Sequence, residues 1–288
     1  MKVLFAVLII AAVVVAGCLW AIRPQRVPVD ATVPPGFPDG GFSHATFESL
    51  LRQYADAEGR VDYAGWHAST DSTSQLHGYL AAVSAFSPEN SPARFPTAND
   101  ELVYWIQGYN AYVIKAVLDH WPLDSVTDVK APIEAVMGMG FFYRLRYSFG
   151  GSYYSLLKVE NSIIRKRYRD ARIHFVLICA SDSCPILKPE LPAGAELEAV
   201  LARAATEFVA DPRNVAIDHA AKTVTLSRIF KWFRKDFIND LHRRGLPADN
   251  GLVDYVASIA PEALRTELAG ASDYEIDFFD YDWSLNTQ

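Results

Sequence analysis

The chain has 288 residues, half of them hydrophobic and 12% aromatic, with 21% charged and a formal net charge of −7. That composition supplies a sizeable core and excludes wholesale disorder. The acidic balance argues against a nucleic-acid partner, whose phosphates need clustered Lys and Arg; the dense basic run "RKRYRD" from Arg165 and the lesser "RIFKWFRKDF" from Arg228 have helical spacing and read as solvated faces.

The first eighteen residues, "MKVLFAVLIIAAVVVAGC", place a basic Lys2 before an unbroken apolar run from Val3 to Ala16 and small residues before Cys18. That order fits a secretory signal and resembles a bacterial lipoprotein signal, in which residues 1–17 are removed and Cys18 becomes a lipidated N-terminus. The same residues also read as an uncleaved anchor, since Val3 to Ile22 is about the ~20 residues that span a bilayer. Both readings put the rest of the chain outside the cytoplasm, membrane-anchored on the periplasmic or extracytoplasmic side. A diacylated cysteine supplies the two chains that stable anchoring needs. Residues 18–41 contain "RPQRVPVDATVPPGFPDGG" and read as a flexible Pro/Gly-rich tether. Residues 42–288 then form a single domain.

Within that domain "FESLLRQY" puts Phe47, Leu50, Leu51 and Tyr54 on one helical face. A second helix is predicted from Ser74 to Phe86, followed by the Pro-rich loop "SPENSPARFPTAND". Asn99 and Asp100 are the expected caps of a long helix, "ELVYWIQGYNAYVIKAVLDHW", stopped by Pro122 and apolar nearly all round. "FFYRLRYSFGGSYYSLL" reads as a hairpin about Gly150 and Gly151, and Lys158 to Arg169 as helical. Ile173 to Cys179 is β-branched and scarcely alternates, which predicts a central strand. "ELEAVLARAATEFV" is a helix, "VAIDHAAKTVTL" a second hairpin, and "SRIFKWFRKDFINDL" a helix capped by Ser227. Helices first and then strands mixed with helices imply an α+β fold, helices around a mixed or antiparallel sheet.

Five stretches, "GRVDYAGW", "WIQGYNAYVIKAVLDHWP", "LLKVENSIIRKRYRDARIHFVLICASDSCP", "LSRIFKWFRKDF" and "YDWSLN", resemble in that order the uncharacterised domain of unknown function 547 family. They span most of Gly59 to Asn286. The family pattern usually has Asn where this chain has Gln107, and often a second Pro where it has Ile186. The resemblance implies a shared fold and supplies no reaction.

The chemistry concentrates in "RIHFVLICASDSCP", Arg172 to Pro185. In a straight strand His174 and Cys179 lie ~16 Å apart on opposite faces, too far for a nucleophile and its base. Cys184 is freer, because "ASDS" can turn the chain. Four readings stay open: a core histidine and cysteine, a Cys179–Cys184 disulfide, a thiolate at Cys184 or Cys179 helped by an imidazole, and a metal site, which the His-x4-Cys-x4-Cys spacing matches poorly. Gln107 and Asn110 share one face of the oily helix. Asn110 either bridges structurally or supports an imidazole or oxyanion, as amides do in cysteine hydrolases. Glu160 either pairs with Arg172 or stands beside the site. Phe230, Trp232, Phe233 and Phe237 read as core, and Asp282 with Trp283 as a plug.

No phosphate-binding Gly-rich loop, G-x-S-x-G or H-E-x-x-H occurs, and no cofactor or metal is expected. These residues define two expectations. One is a membrane-tethered envelope enzyme using Cys184 or Cys179 with His174, Asn110 and Glu160 for amide hydrolysis or acyl transfer on a peptide-like or cell-wall substrate, compatible with a papain-like, permuted arrangement. The other is a non-catalytic binding or assembly lipoprotein braced by a Cys179–Cys184 disulfide.

Overall fold

Helix α1 (Ala45–Tyr54) packs on α2 (Tyr63–Ala68) and α3 (Thr70–Ala85), and α2 and α3 pack on the long α4 (Ala98–Asp119). The computed structural model describes residues 23–132, 134, 137–192 and 194–288, so the expected signal 1–17 and Cys18 lie outside the described residues. Every residue of α4 from Leu102 to Leu118 is buried, as its all-round apolar sequence requires. Its start is a capping box: Thr97 accepts from the Asp100 N–H, and the Asp100 carboxylate accepts from the Thr97 N–H. The cap is thus Thr97 rather than Asn99, whose amide instead donates to the Gly194 carbonyl. Helix α1 buries Phe47, Leu50, Leu51 and Tyr54, the face its spacing predicts.

Two small sheets complete the α+β class. In the first, β1 (Gln25–Arg26) runs parallel to β2 (Leu145–Phe149), which forms the expected hairpin with β3 (Ser152–Tyr154). Gly150 and Gly151 at its turn have φ of 55° and 80°, which only glycine adopts freely. This sheet presses on α4 through Phe149, stacked on Trp105 at 5.3 Å. A Cβ on Gly108 would come within 2.9 Å of the Phe149 ring, so the helix-interior glycine exists for that approach. In the second sheet β4 (Val215–Asp218) pairs antiparallel with β5 (Thr223–Leu226), and β6 (Glu275–Phe278) adds parallel to β5.

Helices α5 (Leu197–Ala210), α6 (Arg228–Trp232), α7 (Arg234–Arg243), α8 (Leu252–Ile259) and α9 (Glu262–Ala269) belong to this second half. Ser227 caps α6 by accepting from the Ile229 N–H, as its sequence predicts, but the helix expected over 227–241 breaks at Phe233. Phe175, Phe208, Phe230, Phe237 and Tyr255 form its aromatic centre.

The predicted strand from Ile173 to Cys179 does not form. Ala171–Phe175 is a 3-10 turn, entered through Asp170, which accepts from the Arg172 N–H, and residues 177–179 are irregular. A β-branched run normally satisfies its backbone on a neighbouring strand. Here one side chain takes that part: Asn110 Nδ2 donates to the Val176 carbonyl at 2.9 Å, and its Oδ1 accepts from the Ile178 N–H at 3.1 Å.

Of the stretch 18–41 expected as a flexible tether, the described residues 23–41 touch the domain at several points. The Val27 N–H donates to the Arg146 carbonyl at 2.9 Å, and Val27 and Val29 pack on the core. Arg94 donates to the carbonyls of Pro38 and Gly41. The C-terminal stretch ties distant parts together. Ser181 bridges to Leu285 and Val61 to Thr287, and Asn286 accepts from the Tyr63 hydroxyl and donates to the Gly59 carbonyl, both at 3.0 Å. Among the described residues no helix is long and apolar enough to cross a membrane.

Candidate functional site

A cavity of about 350 Å³ lies where the two halves meet. Two helical segments of unusual winding shape one side. Gly140–Arg144 and Val159–Ile164 are π-helical, a winding often found at functional sites; the first supplies Phe142 and Tyr143 and the second Glu160. The 3-10 turn and the loop after it supply His174, Leu177, Ile178, Cys179 and Cys184. Tyr109 comes from α4, Trp232 from α6, and Tyr281 and Trp283 from the C-terminal stretch. The cavity therefore gathers four of the five residues singled out within the domain: Cys184, His174, Cys179 and Glu160. Two roomier clefts, about 590 and 550 Å³, are walled by arginines and their carboxylate partners and hold none of the five.

His174 is 2% exposed and its Nε2 lies 2.8 Å from Asp236 Oδ2. Arg165 Nε donates to the same oxygen at 2.6 Å. Burial alone would raise the Asp236 pKa, but the hydrogen bonds from His174 and Arg165 outweigh it and hold the carboxyl at about 2. Burial keeps the His174 pKa below the ordinary imidazole value, against the pull of Asp236. An ionised Asp236 can only accept, so Nε2 carries the hydrogen and Nδ1 the lone pair. The ring is held flat against Phe233, centroids 3.9 Å apart. Phe233 is thus the wall that orients the imidazole rather than the plain core residue its sequence suggests.

Glu160 has no side-chain hydrogen bond among the described residues. Burial pushes its carboxyl up to about 7, against Arg165, with Asp236 adding to the rise. The expected pairing with Arg172 does not occur, because Arg172 is held by Asp170 at 2.6 Å and Glu198 at 2.7 Å. Near neutrality the cavity wall therefore carries a carboxyl able to donate and an imidazole able to accept, beside the phenol of Tyr109, whose pKa burial pushes well up with Glu160 contributing.

Cys179 and Cys184 are joined as a disulfide, Cα atoms 6.1 Å apart, so neither is a free thiol in this state. Hydrogen-bonding groups surround both sulfurs. The Cys179 N–H donates to Cys184 Sγ at 2.7 Å, and Cys179 Sγ lies 2.9 Å from Ser181 Oγ and 3.0 Å from the Tyr281 hydroxyl. Among the described residues no three His, Cys, Asp or Glu side chains are placed to hold a metal.

Asn110 does not touch the imidazole; both ends of its amide are used on the backbone at 176 and 178, so it positions the loop that carries the cysteines. Gln107 is buried with its Nε2 unpartnered among the described residues. Sequence reasoning missed Asp236, Tyr109 and Tyr281. Tyr109 adjoins a residue already singled out, whereas nothing local ties Asp236 to a histidine 62 positions away.

A family model described as "Protein of unknown function, DUF547" matches residues 93–209, so the chain is similar to that family over α4, Glu160, His174 and both domain cysteines. Asp236, Tyr281 and Trp283 fall outside the matched stretch. No curated protein and no solved structure matches, which leaves the papain-like arrangement resting on element order alone.

Proposed function

We propose that the protein is a membrane-held envelope protein that binds a small ligand with an apolar body and a polar end of amide or ester type. The observation that carries this reading is the cavity wall, apolar throughout except for a displaced carboxyl, a neutral imidazole, three phenols and a disulfide. A pocket of some hundreds of Å³, mostly apolar with a few convergent polar groups, is the usual form of a small-molecule site. The disulfide braces the loop of that wall, as the binding-lipoprotein expectation requires. Titration with a neutral fluorophore that brightens in apolar surroundings tests the reading. One saturable site is expected, weakened about tenfold, or ~1.4 kcal/mol, by Leu157→Asp or Trp232→Ala. Both side chains line the cavity at 41% and 46% exposure, so folding is spared. Absence of saturable binding to the parent chain would overturn the proposal.

The cysteine-hydrolase or acyl-transferase reading keeps one specific observation in its favour. The donors around the sulfurs would stabilise a Cys184 thiolate once a dithiol had reduced the bridge, and His174 lines the same cavity. Such an enzyme cleaves an amide or ester of the bound ligand class only after reduction. Equal turnover with the bridge intact, or none in either state, excludes it.

A further inference from the structure

The mouth of this cavity indicates where its ligand comes from, an inference that rests on the binding reading above. We propose that the cavity opens onto the membrane holding the chain and takes up the acyl chain of a bilayer lipid. Among the described residues the large apolar side chains left exposed are Met137, Tyr143, Leu157 and Trp232, at 61, 44, 41 and 46%, and all four line this one cavity. Apolar groups scattered singly over a surface carry no meaning. Four gathered on the rim of an apolar hollow mark a surface that is covered in use.

The path of the chain says what covers it. Strand β1 sets Gln25 beside Leu145 and Arg26 beside Arg146, and the Arg146 guanidinium lies 5.6 Å from the centre of the Tyr143 ring on the rim. The N-terminal apolar run ends at Ile22, three residues before Gln25, a reach of at most about 11 Å. Cys18 lies at most about 25 Å away by the same measure. Either form of the anchor, lipidated Cys18 or the uncleaved run, therefore attaches the chain to a bilayer beside the rim. The charge around this edge agrees. In a protein of net charge −7, Arg144 and Lys158 follow the rim residues Tyr143 and Leu157 in sequence, and Arg23, Arg26 and Arg146 lie in or next to the β1–β2 pair. These five cations outnumber Glu134, which accepts from the N–H of Met139 in the cavity lining at 2.9 Å, and suit anionic headgroups, while the rim side chains sink into the acyl boundary.

The experiment uses the full-length chain carrying Trp20→Phe, reconstituted into phosphatidylethanolamine–phosphatidylglycerol vesicles with brominated acyl chains, which quench tryptophan on contact. The vesicles are expected to at least halve the emission contributed by Trp232 and Trp283, the part absent from a Trp232→Phe/Trp283→Phe double variant. In parallel, a water-soluble brominated hexanamide is added to the same protein in unbrominated vesicles. Quenching by the amide without quenching by brominated lipid overturns the membrane-facing mouth and leaves the binding reading standing. Quenching by neither overturns both, and lipid quenching that persists in the double variant also overturns the proposal.

Discussion

Replacing Asn110 by alanine is expected to cost the folded protein about 2–4 kcal/mol, because it strands two buried backbone groups at about 1–2 kcal/mol each. In a chain of this size that lowers the thermal midpoint by roughly 5–15 °C. Among the described residues the Val176 carbonyl and the Ile178 N–H have their partners in the amide of Asn110 alone, and no strand lies alongside to replace it. Asn110→Asp should fare no better, since it keeps the acceptor for Ile178, loses the donor to Val176 and buries a charge. A catalytic amide would show the opposite pattern, with rate lost and stability kept. Thermal unfolding of the two variants decides, and an unchanged midpoint would contradict the structural role given to this residue.

Glu160→Gln is expected to stabilise the protein, by an amount that grows from about pH 4.5 and levels off above about pH 7. Burial moves the Glu160 carboxyl from its ordinary 4.5 to about 7. Between those pH values the folded chain keeps a proton that the unfolded chain has released, so stability falls as pH rises through the window and levels off above it. Glutamine has no proton to lose. The variant should match the parent near pH 4 and exceed it by up to about 3 kcal/mol at pH 8. His174 contributes with the opposite sign: its lowered pKa withdraws stability as pH falls below the ordinary imidazole value. Both chains share that loss, so the difference between their denaturant midpoints isolates Glu160. Parallel curves from pH 4 to 8 would show that its carboxyl is not displaced.

What the sequence made legible follows the range of the interaction. The inward face of α1, the buried α4, both hairpins and the Ser227 cap depend on neighbours a few residues away, and their patterns state them openly. The α+β class followed from the order of those elements. The strand at 173–179 failed because its backbone is satisfied by an amide more than sixty residues earlier, which no local pattern encodes. Residues 23–41 look like a spacer by composition, yet Val27, Val29 and the carbonyls of Pro38 and Gly41 find partners on the folded surface. At the site, chemistry was legible and geometry was not. His174, Glu160 and the two cysteines stood out as polar or reactive groups in apolar settings. That they share one hollow depends on π-helical turns and a C-terminal return that place Tyr281 on the sulfurs. Asp236 could be linked to His174 only once α7 was packed against the 3-10 turn.

The binding reading turns on an apolar cavity whose polarity is governed by one carboxyl, and the dissociation constant of the neutral fluorophore between pH 5 and 9 tests it most directly. In the parent chain, affinity is expected to fall as pH rises, with a midpoint near the Glu160 value of about 7, while Glu160→Gln binds equally well throughout. Affinity independent of pH in the parent, or the same dependence in Glu160→Gln, would contradict it.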